Sequence, residues 1–132
     1  EKETGKKVNT ILQLRLHPAI IALREKIMKE PAGKKYTIKL KYITARGRWY
    51  HISWKGDVNK SGGIITNIGL HFFDVLLWIF GDVKENLVLE HTADKASGKL
   101  ILERADVDWL LSINAGELPD FLLPILGRLS NW

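Results

Sequence analysis

The run Asn67-Ile68-Gly69-Leu70-His71-Phe72-Phe73-Asp74-Val75-Leu76-Leu77-Trp78-Ile79-Phe80-Gly81 decides how this chain folds. From about Asn67 to Phe80 it is apolar on nearly every side of a helix, and a helix of that kind is buried. Gly81-Asp82 is expected to stop it. Its longest uninterrupted apolar stretch, near residues 75–80, is far below the roughly 20 residues that a membrane-spanning helix needs. A buried helix requires an apolar surface to lie on, and the flanking sequence offers one.

Downstream, residues 87–90, 99–103 and 107–113 each suit a strand, with Ser97-Gly98 and Ala105-Asp106 as turns. Short consecutive strands without intervening helices favour antiparallel pairing. Upstream, residues 36–44 alternate: Tyr36, Ile38, Leu40 and Tyr42 share a face, with Lys39 and Lys41 opposite. Such a strand belongs to a sheet with one wet face, or one face set against another subunit. Residues 8–16 also alternate, with Val8, Thr10, Leu12 and Leu14 on one side and Asn9, Ile11, Gln13 and Arg15 on the other, and read as a strand. Pro18 then suits the first turn of a helix, with Ile20, Leu23 and Ile27 at helical spacing and Pro31-Ala32-Gly33 at its end. Residues 46–61 have no period and read as a functional loop. The predicted class is α+β: an open, mainly antiparallel sheet with helices packed on one face.

The length of 132 residues suggests one domain with a real core. No cysteine is present, which excludes disulfides and thiolate metal sites, and the charged start carries no signal peptide; both fit a cytoplasmic setting. The net charge of +5 fits either an anionic partner or a solvated lysine-rich surface.

Three groups of residues carry chemistry. His71 and Asp74 lie at i and i+3 on the apolar helix, close on its surface. In such surroundings both need partners. A neutral imidazole there is either a general base that takes a proton from a hydroxyl, or a core histidine satisfied by Asp74 as an orienting carboxylate. Asn67, one turn earlier, either orients a hydroxyl or caps the helix. The second group is the segment Arg46-Gly47-Arg48-Trp49-Tyr50-His51-Ile52-Ser53-Trp54-Lys55-Gly56-Asp57, which mixes cations with flat rings. That mixture suits a nucleotide, with rings stacking on base or sugar and Arg or Lys meeting phosphate. It also occurs in single-stranded nucleic-acid binders and in surface loops whose tryptophans pack on a core. The third group, Gln13 and Arg15, shares one face near the end of the first segment. His17, His51 and His91 show no metal-ligand spacing, so no zinc or other metal site is expected.

The string Gly62-Gly63 … Asn67-Ile68-Gly69-Leu70-His71-Phe72-Phe73-Asp74 … Trp78-Ile79-Phe80-Gly81 resembles the signature of the glucose-fructose oxidoreductase/inositol dehydrogenase (Gfo/Idh/MocA) superfamily. Ile11-Leu12-Gln13-Leu14-Arg15, Tyr42-Ile43-Thr44-Ala45-Arg46-Gly47-Arg48-Trp49-Tyr50 and Ser53-Trp54-Lys55-Gly56-Asp57 look like one branch of it, the UDP-N-acetylglucosaminuronate 3-dehydrogenases of lipopolysaccharide O-antigen synthesis. The resemblance runs over residues 1–114 and implies the superfamily's C-terminal substrate-binding and oligomerisation domain. It implies an NAD-dependent enzyme that oxidises the 3-hydroxyl of a UDP-linked N-acetylglucosaminuronic acid. His71 takes the position of the family's catalytic histidine, with Asn67 beside it where many members have aspartate. Gln13, Arg15, Arg46, Tyr50, Trp54 and Lys55 are the implied substrate contacts, and the open sheet is the implied site of homo-oligomer formation.

Three departures accompany the resemblance. The dinucleotide-binding (Rossmann) half, with its glycine motif and catalytic lysine, is absent from the sequence, so NAD is expected to be bound mainly outside it. Residues 115–132 form an atypical tail, a short helix or a poorly ordered end, that fits a truncated or frameshifted reading frame. With one wall of the cleft missing, this chain alone is expected to be inactive, because hydride transfer needs donor and acceptor held close together. The alternative is a non-catalytic remnant that self-associates or binds a nucleotide sugar. No nucleic-acid or membrane partner is expected.

Overall fold

Among the described residues, four strands form one sheet in the order β1-β4-β3-β2, where β1 is Tyr36–Ile43, β2 Val83–His91, β3 Lys95–Leu102 and β4 Ala105–Ser112. The computed structural model describes residues 2–7 and 10–117. The pairings β2·β3 and β3·β4 are antiparallel, while β1 joins β4 in parallel, with Tyr36 opposite Ala105 and Ile43 opposite Ser112. The sheet is therefore mixed and mainly antiparallel, as its short loops predict. The parallel pair is the one whose connection is long enough to carry helices across the sheet.

Helix α4, Leu70–Phe80, covers the inner face. Leu100, Leu102, Val107, Trp109 and Leu111 from the sheet bury against Val75, Leu76, Ile79 and Phe80 from the helix. Ring contacts fix its direction: Phe72 lies 4.8 Å from Tyr42, and Phe80 lies 5.7 Å from Tyr36. The helix thus runs antiparallel to β1. Its N-terminal end, with His71, sits where β1 finishes. The helical stretch Val58–Phe80 has a length of 23 residues and a mean hydropathy of 1.6, enough by length and composition to cross a membrane. Here its apolar side is the core of the sheet. Helix α1, Pro18–Lys29, packs beside α4 through Ile20 and Ile27, and Arg24 Nε donates to the Trp78 carbonyl at 3.2 Å. Pro31-Ala32-Gly33 follows its end.

The outer face mixes charged residues with Leu87, Ile101 and Leu110. Lys39 and Lys99 flank Asp108 in register across three strands, and all three are exposed. Opposite charges directly across a sheet contribute roughly 0.2–1 kcal/mol per pair.

Four expectations need correction. Residues 10–16 form no strand; Gln13–Leu16 is a 3-10 turn that leads into Pro18, while Val8 and Asn9 lie outside the described residues. The alternation there is real, but a strand also needs a partner's hydrogen bonds, and this segment lies off the sheet. Residues 46–61 contain two short helices, α2 (Arg48–Ile52) and α3 (Val58–Ser61), where a loop was expected. Asp57 caps α3 by accepting from Asn59 N at 3.0 Å. Ser97-Gly98 and Ala105-Asp106 are strand, not turns. The β2–β3 turn is built by Thr92, whose hydroxyl accepts from Lys95 N at 3.0 Å. The β3–β4 turn is pinned by the end of α4, where Arg104 N donates to the Phe80 carbonyl at 2.9 Å. Finally, β2 extends beyond the predicted 87–90, because its edge position leaves both faces exposed and its apolar signal weak. The predicted tail, residues 115–132, lies outside the described residues except for the turn Ala115–Glu117.

Gly98 explains one misreading. A Cβ there would meet the Trp109 ring at 2.6 Å and also strike the Leu87 carbonyl. The glycine admits the indole to the sheet surface and does not turn the chain. Gly98→Ala is expected to lower unfolding free energy by about 1–3 kcal/mol through overpacking. Urea denaturation checks this, and an unchanged midpoint would show that the Trp109 site relaxes freely.

Candidate active site

Where β1 ends, the chain turns through Arg46 into α2 and returns at the start of the long helix. This loop and the two elements that flank it enclose a cavity of about 370 Å3. Its wall includes Gln13, Tyr42, Arg46, Trp49, Tyr50, Lys55, Asn67 and His71. Three pieces of chain far apart in sequence therefore meet: the turn Gln13–Leu16, the segment 42–55 and the helix from Asn67 onward.

Local structure holds each piece. Tyr50 is 3% exposed and anchors α2 in the core. Ser53 Oγ donates to the Tyr50 carbonyl at 2.8 Å, closing α2. Asn67 lies in a π-helical turn, Ile65–Gly69, that precedes α4. Such turns insert one extra residue per turn and are frequent at functional sites. Asn67 is not a cap: its Nδ2 donates to the Tyr50 hydroxyl oxygen at 3.3 Å, so one wall of the cavity is bonded to the other. The Arg46 guanidinium lies 5.7 Å from the centre of the Tyr50 ring.

Two buried atoms in this wall have no hydrogen-bond partner, Arg46 Nε and His71 Nδ1. A buried polar atom left unpaired costs about 1–3 kcal/mol, and a bound ligand is one thing that can satisfy it; Tyr36 Oη, Arg104 Nε, Trp109 Nε1 and Glu117 Oε2 are also unpaired, away from this wall. Among the described residues, the wall carries two cationic side chains, Arg46 and Lys55, and no carboxylate. Positive charge, an imidazole and flat rings around one concavity favour an anionic ligand with a stackable or sugar surface.

Six of the sequence-named site residues line this cavity: Gln13, Arg46, Tyr50, Lys55, Asn67 and His71. Three do not. Trp54 is 58% exposed and touches the Lys55 ammonium, 5.9 Å from its ring, outside the wall. The Arg15 guanidinium, expected at the substrate, is committed to Asp74 through two hydrogen bonds, Nε to Oδ2 at 2.7 Å and Nη2 to Oδ1. Those bonds hold Arg15 above its ordinary pKa. Asp74, expected to orient His71, spends its carboxylate on Arg15 instead. Trp49 and Tyr42 belong to the wall and were not singled out from sequence, although Trp49 stands inside the cation-and-ring segment that pointed here. Among the described residues, no three His, Cys, Asp or Glu side chains come together to hold a metal.

The family model described as "Oxidoreductase family, C-terminal alpha/beta domain" matches residues 24–102. Among solved structures, the chain is similar to the WlbA (WbpB) dehydrogenase of Thermus thermophilus in complex with NAD and alpha-ketoglutarate, at 46% identity and a TM-score of 0.83, over 96% of this chain and 40% of that one. The same dehydrogenase in complex with NAD and UDP-GlcNAcA matches at 46% identity and a TM-score of 0.83, over 94% and 40%. A putative myo-inositol dehydrogenase from Sinorhizobium meliloti 1021, at 22% identity and a TM-score of 0.52 over 84% and 37%, shares the fold. The chain thus spans about 40% of the length of the WlbA dehydrogenase it matches.

The Asn67–Tyr50 bond can be tested directly. Tyr50→Phe keeps the ring but strands the Asn67 amide, and is expected to cost about 0.5–1.5 kcal/mol of stability. Equal urea midpoints for the two proteins would mean that the bond contributes nothing.

Proposed function

This chain belongs to the C-terminal alpha/beta domain family of oxidoreductases, and from that membership we propose that it is the substrate-binding domain of an NAD-dependent nucleotide-sugar dehydrogenase. The proposed substrate is UDP-N-acetylglucosaminuronic acid, oxidised at its 3-hydroxyl within lipopolysaccharide O-antigen synthesis, in the cytoplasm. The observation that carries the reading is the cavity wall, where His71 with an unpaired Nδ1 stands beside Arg46, Lys55 and Trp49 with no carboxylate among them.

The chemistry of the wall matches such a substrate. Arg46 and Lys55 suit the diphosphate and the uronate, which are anionic at neutral pH. Trp49 and Tyr50 offer apolar ring surface to the sugar or base. Asn67, neutral and able to donate and accept, orients hydroxyls without repelling the anion. An imidazole is suited to take the hydroxyl proton as a general base. NAD does not fit this chain's residues alone. The sequence has no Gly-x-Gly-x-x-Gly loop to cradle a pyrophosphate. The share of the reaction derived from these residues is therefore binding, orientation and proton removal. The exposed sheet face, with its Lys39–Asp108–Lys99 row, is the proposed surface for homo-oligomer formation.

Calorimetric titration tests the reading. UDP-N-acetylglucosaminuronic acid is expected to bind, NAD is not, and Arg46→Ala should weaken the sugar by about tenfold or more, as loss of a charge-assisted bond implies. In a full-length relative, replacing the histidine equivalent to His71 with asparagine should lower turnover about 100-fold or more. No sugar binding, or unchanged turnover, counts against the proposal.

A further inference from the structure

We propose that Arg15 is a positioning residue: its clamp on Asp74 fixes the Gln13 wall of the cavity against the helix that bears His71. The turn Gln13–Leu16 contributes Gln13 and Leu14 to the cavity, and its one apolar hold is Leu14, half-buried against the core. It belongs to no sheet, none of its four residues is fully buried, its last residue Leu16 is 76% exposed and Ile11 just before it is 75% exposed. Two backbone bonds shape it, Arg15 N to the Leu12 carbonyl at 3.3 Å and His17 N to the Leu14 carbonyl at 3.1 Å, and both are internal to the turn. Neither attaches it to the rest of the protein.

The polar attachment, which sets orientation where the Leu14 contact does not, comes from Arg15. Its guanidinium meets Asp74 as a two-pronged fork across 59 positions of sequence. The Asp74 side chain is 9% exposed and the Arg15 side chain 40%, so the carboxylate is fixed within the protein while the arginine reaches it from the rim. Trp78, one turn further along α4, backs the fork: the Arg15 guanidinium carbon lies 5.6 Å from its ring centre and that of Arg24 lies 4.6 Å away. Asp74 and Trp78 follow His71 by three and seven residues, so all three lie along one side of α4. A fork has a fixed plane and two fixed bonds, so it sets orientation as well as distance, which lysine does not do. Gln13 and His71 face one cavity because Arg15 and Asp74 face each other just behind it.

The consequence for a nucleotide sugar rests on the function proposed above, but the clamp itself does not. Arg15→Gln, Asp74→Asn and the double variant are made in this chain, and amide hydrogen exchange is followed by NMR. At Arg15 and His17, exchange should accelerate about tenfold or more in all three variants, with the double no faster than either single. Amides in β3 and β4 should be unchanged. Arg15→Lys, which keeps charge without the fork, should fall between Arg15→Gln and the parent. Unchanged exchange at Arg15 and His17, or equal acceleration across β3 and β4, overturns the clamp. Titration with UDP-N-acetylglucosaminuronic acid adds the functional arm. Affinity should fall by a similar factor, about fivefold to tenfold, in both single variants and no further in the double. Additive losses in the double would overturn the clamp as a single unit. Absence of binding to the parent chain refutes the substrate reading and leaves the exchange result to decide the clamp.

Discussion

The burial of α4 against the inner face of the sheet is the constraint on which the rest of the structure depends. The helix supplies Val75, Leu76, Ile79 and Phe80 to the core, and the sheet supplies Leu100, Leu102, Val107, Trp109 and Leu111. A large apolar interface of this kind is the main favourable contribution in a domain of this size. The same helix carries His71 at the end that lies beside the finish of β1. The approach is close: a Cβ on Gly69 would come within 2.9 Å of Leu111 and 2.7 Å of Phe73. Helix and sheet cannot slide far without a clash, so the imidazole is held in one place by the core beneath it.

The site is then assembled from chain that the core positions only indirectly. Tyr50 drives α2 inward and carries Arg46 and Trp49 with it. The Asn67–Tyr50 bond and the Arg15–Asp74 fork tie two outer walls back to the helix. Between these ties lie an unpaired imidazole nitrogen and an unpaired guanidinium nitrogen, in a wall that is cationic and free of carboxylates.

Much of the fold was legible in the sequence, because the signals came from packing. The helix through Asn67–Phe80, the alternation of Tyr36, Ile38, Leu40 and Tyr42, and the last strand all record which side chains face the core. The errors arose where a local pattern needed a distant partner to give it meaning. Residues 10–16 alternate like a strand but lie off the sheet. Gly98 reads as a turn until Trp109 is seen to need its surface. The candidate site was legible in part for the same reason. Residue types chosen for chemistry, such as Arg46, Tyr50 and His71, stood out against an apolar background. The partner of each charge did not: nothing in the spacing of Arg15 and Asp74 reveals that they meet, so Arg15 read as a substrate contact and Asp74 as the partner of His71. Trp54 read as a site residue from its company, although its ring lies outside the wall.

The central claim is that this cavity, with His71 in its wall, receives an anionic nucleotide sugar. It is tested most directly by NMR of the labelled chain during titration with UDP-N-acetylglucosaminuronic acid. The account predicts that the His71 ring, the Arg46 side chain and the Trp49 indole shift together and saturate at one concentration, while the apolar groove of about 840 Å3 between α1, β1 and α4 stays silent. Shifts confined to that groove or to the sheet face, with His71 unmoved at saturation, would contradict it.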